Sequence, residues 1–309
     1  MDNKQTHATE ILGRLLAQVL RFPIASGVLR TAVPFLEVLK ESSPTLLSHG
    51  VLKPSLCIVL QGRKRLQVGN KIIEYTTGDY LAASVDMPVN GQVVEAAADR
   101  PYVALRVELT PGEVADVASE ARLDLRPEPG LQPGVFVGKP GAEVLEGFEK
   151  LFRLSSDARA AGFLGPAVKR EMIYWLLQGE DGTLFYKNML LHQEASGVGK
   201  VIGWIKANFD SPFTIEQLAE LGNMSVSNLH HKFKEVTALT PLQYQKRLRL
   251  QEARRLLLDG ANVTETTLRV GYQSSTQFGR EYKRLFGLPP LLDIRTIREG
   301  GRPLEREVE

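Results

Sequence analysis

Ser225-Val226-Ser227-Asn228-Leu229-His230-His231-Lys232-Phe233-Lys234-Glu235-Val236 and, further along, Ser274-Ser275-Thr276-Gln277-Phe278-Gly279-Arg280-Glu281-Tyr282-Lys283-Arg284-Leu285 are two copies of one pattern. In each, a serine able to cap a helix precedes an apolar stripe at helical spacing: Leu229, Phe233 and Val236 in the first, Phe278, Tyr282 and Leu285 in the second. The opposite faces are polar and cationic. Ser227, Asn228, His230, His231 and Lys234 form one, and Thr276, Gln277, Gly279, Arg280, Lys283 and Arg284 the other. Such faces can meet base edges and phosphates together.

Each copy is preceded by a second helical segment and a tight turn. Thr214 and Gln217 have capping-box spacing, Leu218, Ala219 and Leu221 supply an apolar face, and Gly222-Asn223 tolerate the left-handed backbone of a break. Asn262 and Glu265 repeat the capping spacing, with Leu268 and Val270 as apolar anchors and Gly271-Tyr272 at the break. Between the units, Thr240-Pro241-Leu242-Gln243 combines a threonine cap, a proline at the first helical position and a glutamine at the third. A helix from there to Leu258 is about 27 Å long. With the width of its neighbours it could hold two recognition helices about 34 Å apart, one turn of B-DNA. The expectation is a pair of helix-turn-helix units that read double-stranded DNA along one side.

Charge agrees with this reading. The whole chain carries 38 Lys and Arg against 36 Asp and Glu, a net of +2. Residues 232–298 hold 13 of those cations and 6 of the acids, so 13 − 6 gives a local net of +7. Clustered cations bind phosphate without sequence information, whereas the planar fork of Arg280 suits a guanine edge. A metal site at His230-His231 is disfavoured, because adjacent helical residues point about 100° apart.

These residues resemble the AraC/XylS family of bacterial transcriptional regulators. The resemblance is carried by Leu248-Arg249-Leu250-Gln251-Glu252-Ala253-Arg254-Arg255-Leu256-Leu257, by Val270-Gly271-Tyr272, and by Gln277-Phe278-Gly279-Arg280-Glu281-Tyr282-Lys283-Arg284-Leu285-Phe286-Gly287 with Pro290 following. It implies base-reading roles for Ser227, His230, His231, Thr276, Gln277 and Arg280. Three positions depart from the family pattern: Ala238 where glycine is usual, Thr266-Thr267 where small alanines pack, and His231 where arginine is frequent.

The N-terminal half is of another kind. Short apolar runs at residues 56–60, 65–68, 72–75, 80–87, 93–96 and 102–109 alternate with Gly-Asn, Gly-Asp and Pro-Val-Asn-Gly punctuation, as in an antiparallel barrel or sandwich. In the last run Val103, Leu105, Val107 and Leu109 face one way, Arg106 and Glu108 the other. Together with Pro54-Ser55-Leu56-Cys57-Ile58-Val59-Leu60-Gln61-Gly62-Arg63-Lys64, Ser84-Val85-Asp86-Met87-Pro88-Val89 and Pro101-Tyr102, the segment resembles the cupin-type N-terminal effector domain of one AraC subgroup. That resemblance implies a small barrel that senses a ligand and influences dimerisation. Polarity near the strands offers Ser84, Asp86, Tyr102 and Arg106 as effector-binding candidates.

The chain is thus read as a multidomain α+β protein: an N-terminal antiparallel β-barrel, cupin-like, followed by helices and a C-terminal all-α domain with two helix-turn-helix units. Residues 1–138 form the sensing domain, with an amphipathic helix over about 9–20. Residues 139–198 form a helical dimerisation and linker region, with stripes Val144, Leu145, Phe148, Leu151, Phe152 and Met172, Ile173, Leu176, Leu177, and a connecting segment over 193–199. Residues 199–299 bind DNA, and 300–309 form a tail. The implied partners are double-stranded DNA, a small-molecule effector, RNA polymerase and a second copy of the chain. The implied role is that of a transcription regulator, an activator on family grounds.

A cupin-type metal-dependent enzyme and a binding module that does not contact DNA are the alternatives. Against an enzyme, only His49 lies near the strands, and no nucleophile elbow, glycine-rich phosphate loop or cysteine pair is present. No catalytic residue, cofactor or metal is therefore expected. Cys57, the single cysteine, reads as core packing that suits a reducing cytoplasm, with a thiol sensor as the rival. The polar start and the lack of an eighteen-residue apolar run point to a cytoplasmic protein off the membrane.

Overall fold

The computed structural model describes residues 3–22, 26–125, 134–191 and 197–298. In chain order these form α1 (Asn3–Arg21), β1 (Gly27–Arg30), β2 (Leu36–Glu41), β3 (Ser48–Leu52), β4 (Ser55–Gln61), β5 (Arg63–Val68), β6 (Lys71–Thr76), β7 (Tyr80–Ala83), β8 (Met87–Glu95), β9 (Tyr102–Glu108), α2 (Pro111–Glu120), β10 (Val135–Gly138), α3 (Ala142–Arg153), α4 (Ala158–Gln178) and α5 (Gly182–Leu191). Seven helices follow: α6 (Gly197–Ala207), α7 (Ile215–Leu221), α8 (Val226–Thr237), α9 (Pro241–Leu258), α10 (Val263–Arg269), α11 (Ser275–Phe286) and α12 (Pro290–Arg298). Residues 193–196 of the expected connecting segment, and the 300–309 tail, lie outside the described residues. Gly197 already begins α6.

The strands make two antiparallel sheets, β1-β2-β9-β4-β7-β10 and β3-β8-β5-β6, and the expected barrel is therefore an open sandwich. Alternation on β9 decides the layering. Val103, Leu105, Val107 and Leu109 face a core built with α1, α3 and α4, while Tyr102 and Ala104 face the space between the sheets. Both stripes read in α3 and α4 are buried in that first core.

The expected turn at Pro88-Val89-Asn90-Gly91 is instead the middle of β8. Pro88 pairs with Val51 of β3 but lies beyond the end of β5, so its missing N–H removes no bond on that side. Asn90 ties the strand to its neighbours by accepting at 2.7 Å from His49 Nδ1 and donating at 3.1 Å to Gln67. The chain breaks earlier, over residues 84–86. Strands β1, β2, β3 and β10 and helix α2 were not anticipated.

The second apolar core does not stop at the sandwich. It runs from Cys57, Tyr75, Met87 and Tyr102 into Val201, Leu229, Phe233 and Tyr244, so the first helix-turn-helix unit shares a core with the sheets. A third core, around Ala253, Phe278, Tyr282 and Phe286, lies under the second unit, with Phe209 packing against both it and the second core. Backbone and side-chain bonds stitch the halves together: Gly134 N–H donates to Val236 O at 3.1 Å, Gln251 Nε2 to Gly50 O at 2.7 Å, and the Tyr244 hydroxyl to Asp86 O. Among the described residues no helix is long and apolar enough to cross a membrane.

Candidate nucleic-acid interface

The first unit is organised by its caps. Thr214 Oγ1 accepts from Gln217 N at 3.2 Å and Gln217 Oε1 accepts from Thr214 N at 2.8 Å, closing the expected box. At the break only Asn223 takes the left-handed backbone (φ 50°); Gly222 stays right-handed. Ser225 then caps α8 by accepting from Asn228 N. Leu229, Phe233 and Val236 are buried, which leaves Ser227, Asn228, His231 and Lys234 exposed and His230 half-buried. His231 Nδ1 lies 3.6 Å from Glu235. Ala238 ends α8 in the left-handed region (φ 56°, ψ 14°), a strain of about 1 kcal/mol for a residue with a Cβ.

The second unit departs from expectation in two ways. Leu268 is not an anchor: it is 67% exposed, whereas Val270 is buried as expected, with Thr266 and Thr267 beside it. Asn262 Oδ1 accepts from Glu265 N at 2.8 Å, but the glutamate returns to the asparagine side chain rather than to its backbone. Gly271 is required where it stands, since φ is 80° and a Cβ would lie 1.9 Å from Asp210 O. Ser274 caps α11, whose Phe278, Tyr282 and Phe286 are buried with Leu285 half-buried. Thr276, Gln277, Arg280, Lys283 and Arg284 are exposed.

Helix α9 is the common scaffold. Its Thr240 and Gln243 form a full capping box, and α8, α10, α11 and α12 all pack on it. Arg249, known from the sequence only as part of a motif, donates to the carbonyls of Phe209, Asp210, Ser211 and Gly271 and so pins the loop between α6 and α7 and the turn of the second unit to the scaffold. Arg254 plays a matching part toward α12 through Asp293.

Part of the positive charge of this domain is neutralised within it. Lys246, Arg254, Arg255 and Arg269 are each bridged to a carboxylate. Lys234, Arg280, Lys283 and Arg284, on the outer faces of α8 and α11, have no ion-pair partner among the described residues. Those free charges lie beside hydrogen-bonding side chains, as a DNA-reading surface requires. Sequence reading missed Gln243, Lys246 and Arg247 on the polar side of α9, although Lys246 and Arg247, three and four residues after Gln243, share its face.

The effector candidates do not form one site. Tyr102 and Arg106 lie in the sandwich interior with Cys57, Lys64 and Tyr75, and Arg106 is paired with Glu37 at 2.9 Å. Burial holds the Tyr75 and Tyr102 hydroxyls protonated well above the usual phenol range and raises the Cys57 thiol likewise, which opposes a reactive thiolate. Ser84 donates to Gly134 O at 3.2 Å, and Asp86 is bridged to Lys206 of α6, so both belong to the junction between the halves. A groove of about 840 Å³ opens at that junction, with His49 and Val51 on one wall and Leu248, Gln251 and Leu258 on the other. Among the described residues no group of three or more His, Cys, Asp or Glu is placed to hold a metal ion.

Two family models match this chain. One, the AraC-type transcriptional regulator N-terminus, covers residues 32–184, and the other, a helix-turn-helix domain, covers residues 218–292. The chain belongs to the AraC-type family of transcriptional regulators. It is 35% identical over 111 residues to the HTH-type transcriptional activator RhaS of Escherichia coli strain SE11, a match over 36% of this chain and 40% of that relative. The chain thus spans about two fifths of the length of the curated relatives it matches. Its fold is that of ToxT from Vibrio cholerae: one structure superposes with a TM-score of 0.56 at 9% identity, over 84% of this chain and 97% of the other. A ToxT structure described as bound to an unsaturated fatty acid superposes at 0.54 and 8% identity, over 83% of this chain and 94% of the other.

Proposed function

We propose that this protein binds DNA sequence-specifically and regulates transcription, as an activator, under the control of a small molecule sensed by its N-terminal half. What carries this reading is the pairing pattern: two capped helices on one scaffold present Ser227, Asn228, His230, His231 and Lys234, and Thr276, Gln277, Arg280, Lys283 and Arg284, with their cations unbridged. Residues 1–138 sense, 139–198 carry the dimer contact, and 199–299 read DNA. RNA polymerase is the further partner, and no catalytic residue or cofactor enters the account.

Two candidate places receive the effector. One is the sandwich interior around Tyr102 and Arg106; the other is the groove at the junction, which Asp86 lines, while Ser84 lies outside it, bonded to Gly134. A ligand in the groove would touch β3 and α9 at once, so its affinity would differ between two arrangements of the halves. Its apolar walls suit a ligand with a long apolar body, the class reported for the ToxT structure. The second copy of the chain is assigned to α4, where Phe163 (83% exposed), Leu164 and Trp175 break the surface.

The test is selection of bound duplexes from a random pool, followed by a salt titration of the winner against random DNA. Arg280→Ala should weaken the selected site by about 1 to 3 kcal/mol and relax preference at one or two base pairs. Affinity that ignores both sequence and salt would refute the reading.

A further inference from the structure

A second cavity, of about 490 Å³, lies on the other side of α9. Lys234 of α8, Lys246 and Arg247 of α9, and Arg284 of α11 line it, with Glu281 as the sole carboxylate. The remaining wall comes from the N-terminal half: Gly69 and Asn70, the tip of the β5–β6 hairpin. Gly69 sits against the end of α8 so closely that a Cβ there would be 2.5 Å from Ala238 O.

The charges in this cavity are unbalanced in a way the junction groove is not. Around the groove, Lys53, Lys206, Arg254 and Arg255 are bridged to Glu108, Asp86, Asp293 and Glu252. In the second cavity Glu281 is taken up by Lys246 at 2.9 Å and by the Tyr272 hydroxyl at 2.8 Å, and Lys234, Arg247 and Arg284 have no carboxylate partner. Arg247 is the telling member. Its Nη1 is buried without a hydrogen-bond acceptor, a condition proteins rarely leave unmet.

Four cations line this cavity against a single carboxylate, and an oxygen-rich anion would balance them. We infer that this cavity binds a phosphate group, held by Arg247 and Arg284 with Lys234 and Lys246 and bounded by Asn70 of the sensing half. The phosphate comes either from a free phosphate monoester or from the backbone of the duplex. Because the wall includes both halves of the chain, occupancy is linked to the position of the hairpin. Because Lys234 and Arg284 also belong to the reading faces, a free phosphate ester here competes with DNA.

Inorganic phosphate titrated calorimetrically into the full-length protein, with no DNA present, is the probe. Arg247→Gln should weaken binding about tenfold, and Arg284→Gln, at an exposed position, should do the same if the first variant folds poorly. Asn70→Asp places a carboxylate at the rim and should also weaken phosphate severalfold, because like charges at this range repel. Lys200→Gln, which removes an equal charge on α6 away from the cavity, should leave binding unchanged. Equal phosphate affinity in the parent, Arg247→Gln and Arg284→Gln would overturn the site. Duplex affinity measured on the same variants separates the sources: loss of phosphate alone in Arg247→Gln and Asn70→Asp assigns a free ester, and a parallel loss of duplex in Arg247→Gln assigns the backbone. Arg280 is outside the cavity, so its substitution tests DNA reading whatever phosphate does.

Discussion

Arg254 donates to Asp293 through two nitrogens, Nε to Oδ2 and Nη2 to Oδ1, each at 2.8 Å, and the carboxylate has no solvent exposure. The Tyr282 hydroxyl donates to the same Oδ2 at 2.8 Å, and the guanidinium lies 4.5 Å from the Phe286 ring centre. Scaffold helix, second recognition helix and terminal helix are joined at this point. Removing one partner of such a pair strands the other charge in a place water reaches poorly. Asp293→Ala should therefore cost about 3 to 5 kcal/mol, measured by denaturant unfolding of the full chain, and should weaken DNA binding through loss of the second unit. A change under about 1 kcal/mol would mean that the pair contributes no more than a surface bridge.

Thr266 yields the opposite expectation. It has no solvent exposure, and its Oγ1 has no hydrogen-bond partner, whereas the neighbouring Thr267 hydroxyl donates to Val263 O at 2.7 Å. Thr266→Val keeps the shape and removes the stranded hydroxyl. It should raise stability by about 1 kcal/mol, read as a higher melting temperature. Thr267→Val, which breaks a made bond, should lower it.

His49 makes the junction sensitive to acid. Burial is the main reason its pKa falls to about 4; Arg254 and Arg247 push the same way, while Asn90 and Asp293 oppose them. Its ring also packs edge-on against Phe286 at 5.0 Å. A histidine whose folded pKa is depressed stabilises the fold fully above its unfolded pKa of about 6.5, and the contribution disappears as pH falls toward 4. The loss is up to about 3 kcal/mol. Melting temperature measured from pH 7 to pH 4 should fall more steeply in the parent than in His49→Gln. Equal slopes would show that His49 is not what titrates.

The DNA-binding half was legible because its signals are local. A threonine or serine cap, a residue returning the bond three positions on, and a stripe at helical spacing all lie within one or two turns, so Thr214, Ser225 and Thr240 could be placed without tertiary knowledge, while the last cap stayed open between Ser274 and Ser275 until the structure gave Ser274. Leu268 misled because helical spacing does not say which apolar side chain finds a partner. Two buried threonines won the interior instead. The same local signal was present at Thr110-Pro111-Gly112-Glu113, where a full capping box opens α2, and was overlooked. The sandwich was less legible, since strand pairing joins residues far apart. Pro88 and Gly91 read as a turn, and only the register with β3 and β5 shows why a strand tolerates them. Arg249 and Arg247 were hidden for a like reason: what each does depends on groups from other elements.

The direct test of the central claim is a hydroxyl-radical footprint of the full-length protein on a duplex recovered by selection. Two recognition helices on one rigid α9 should protect two segments per protomer, about 10 base pairs apart on the same face, with Arg280→Ala losing contacts in one segment only. A single protected segment per protomer, or none, would contradict the account.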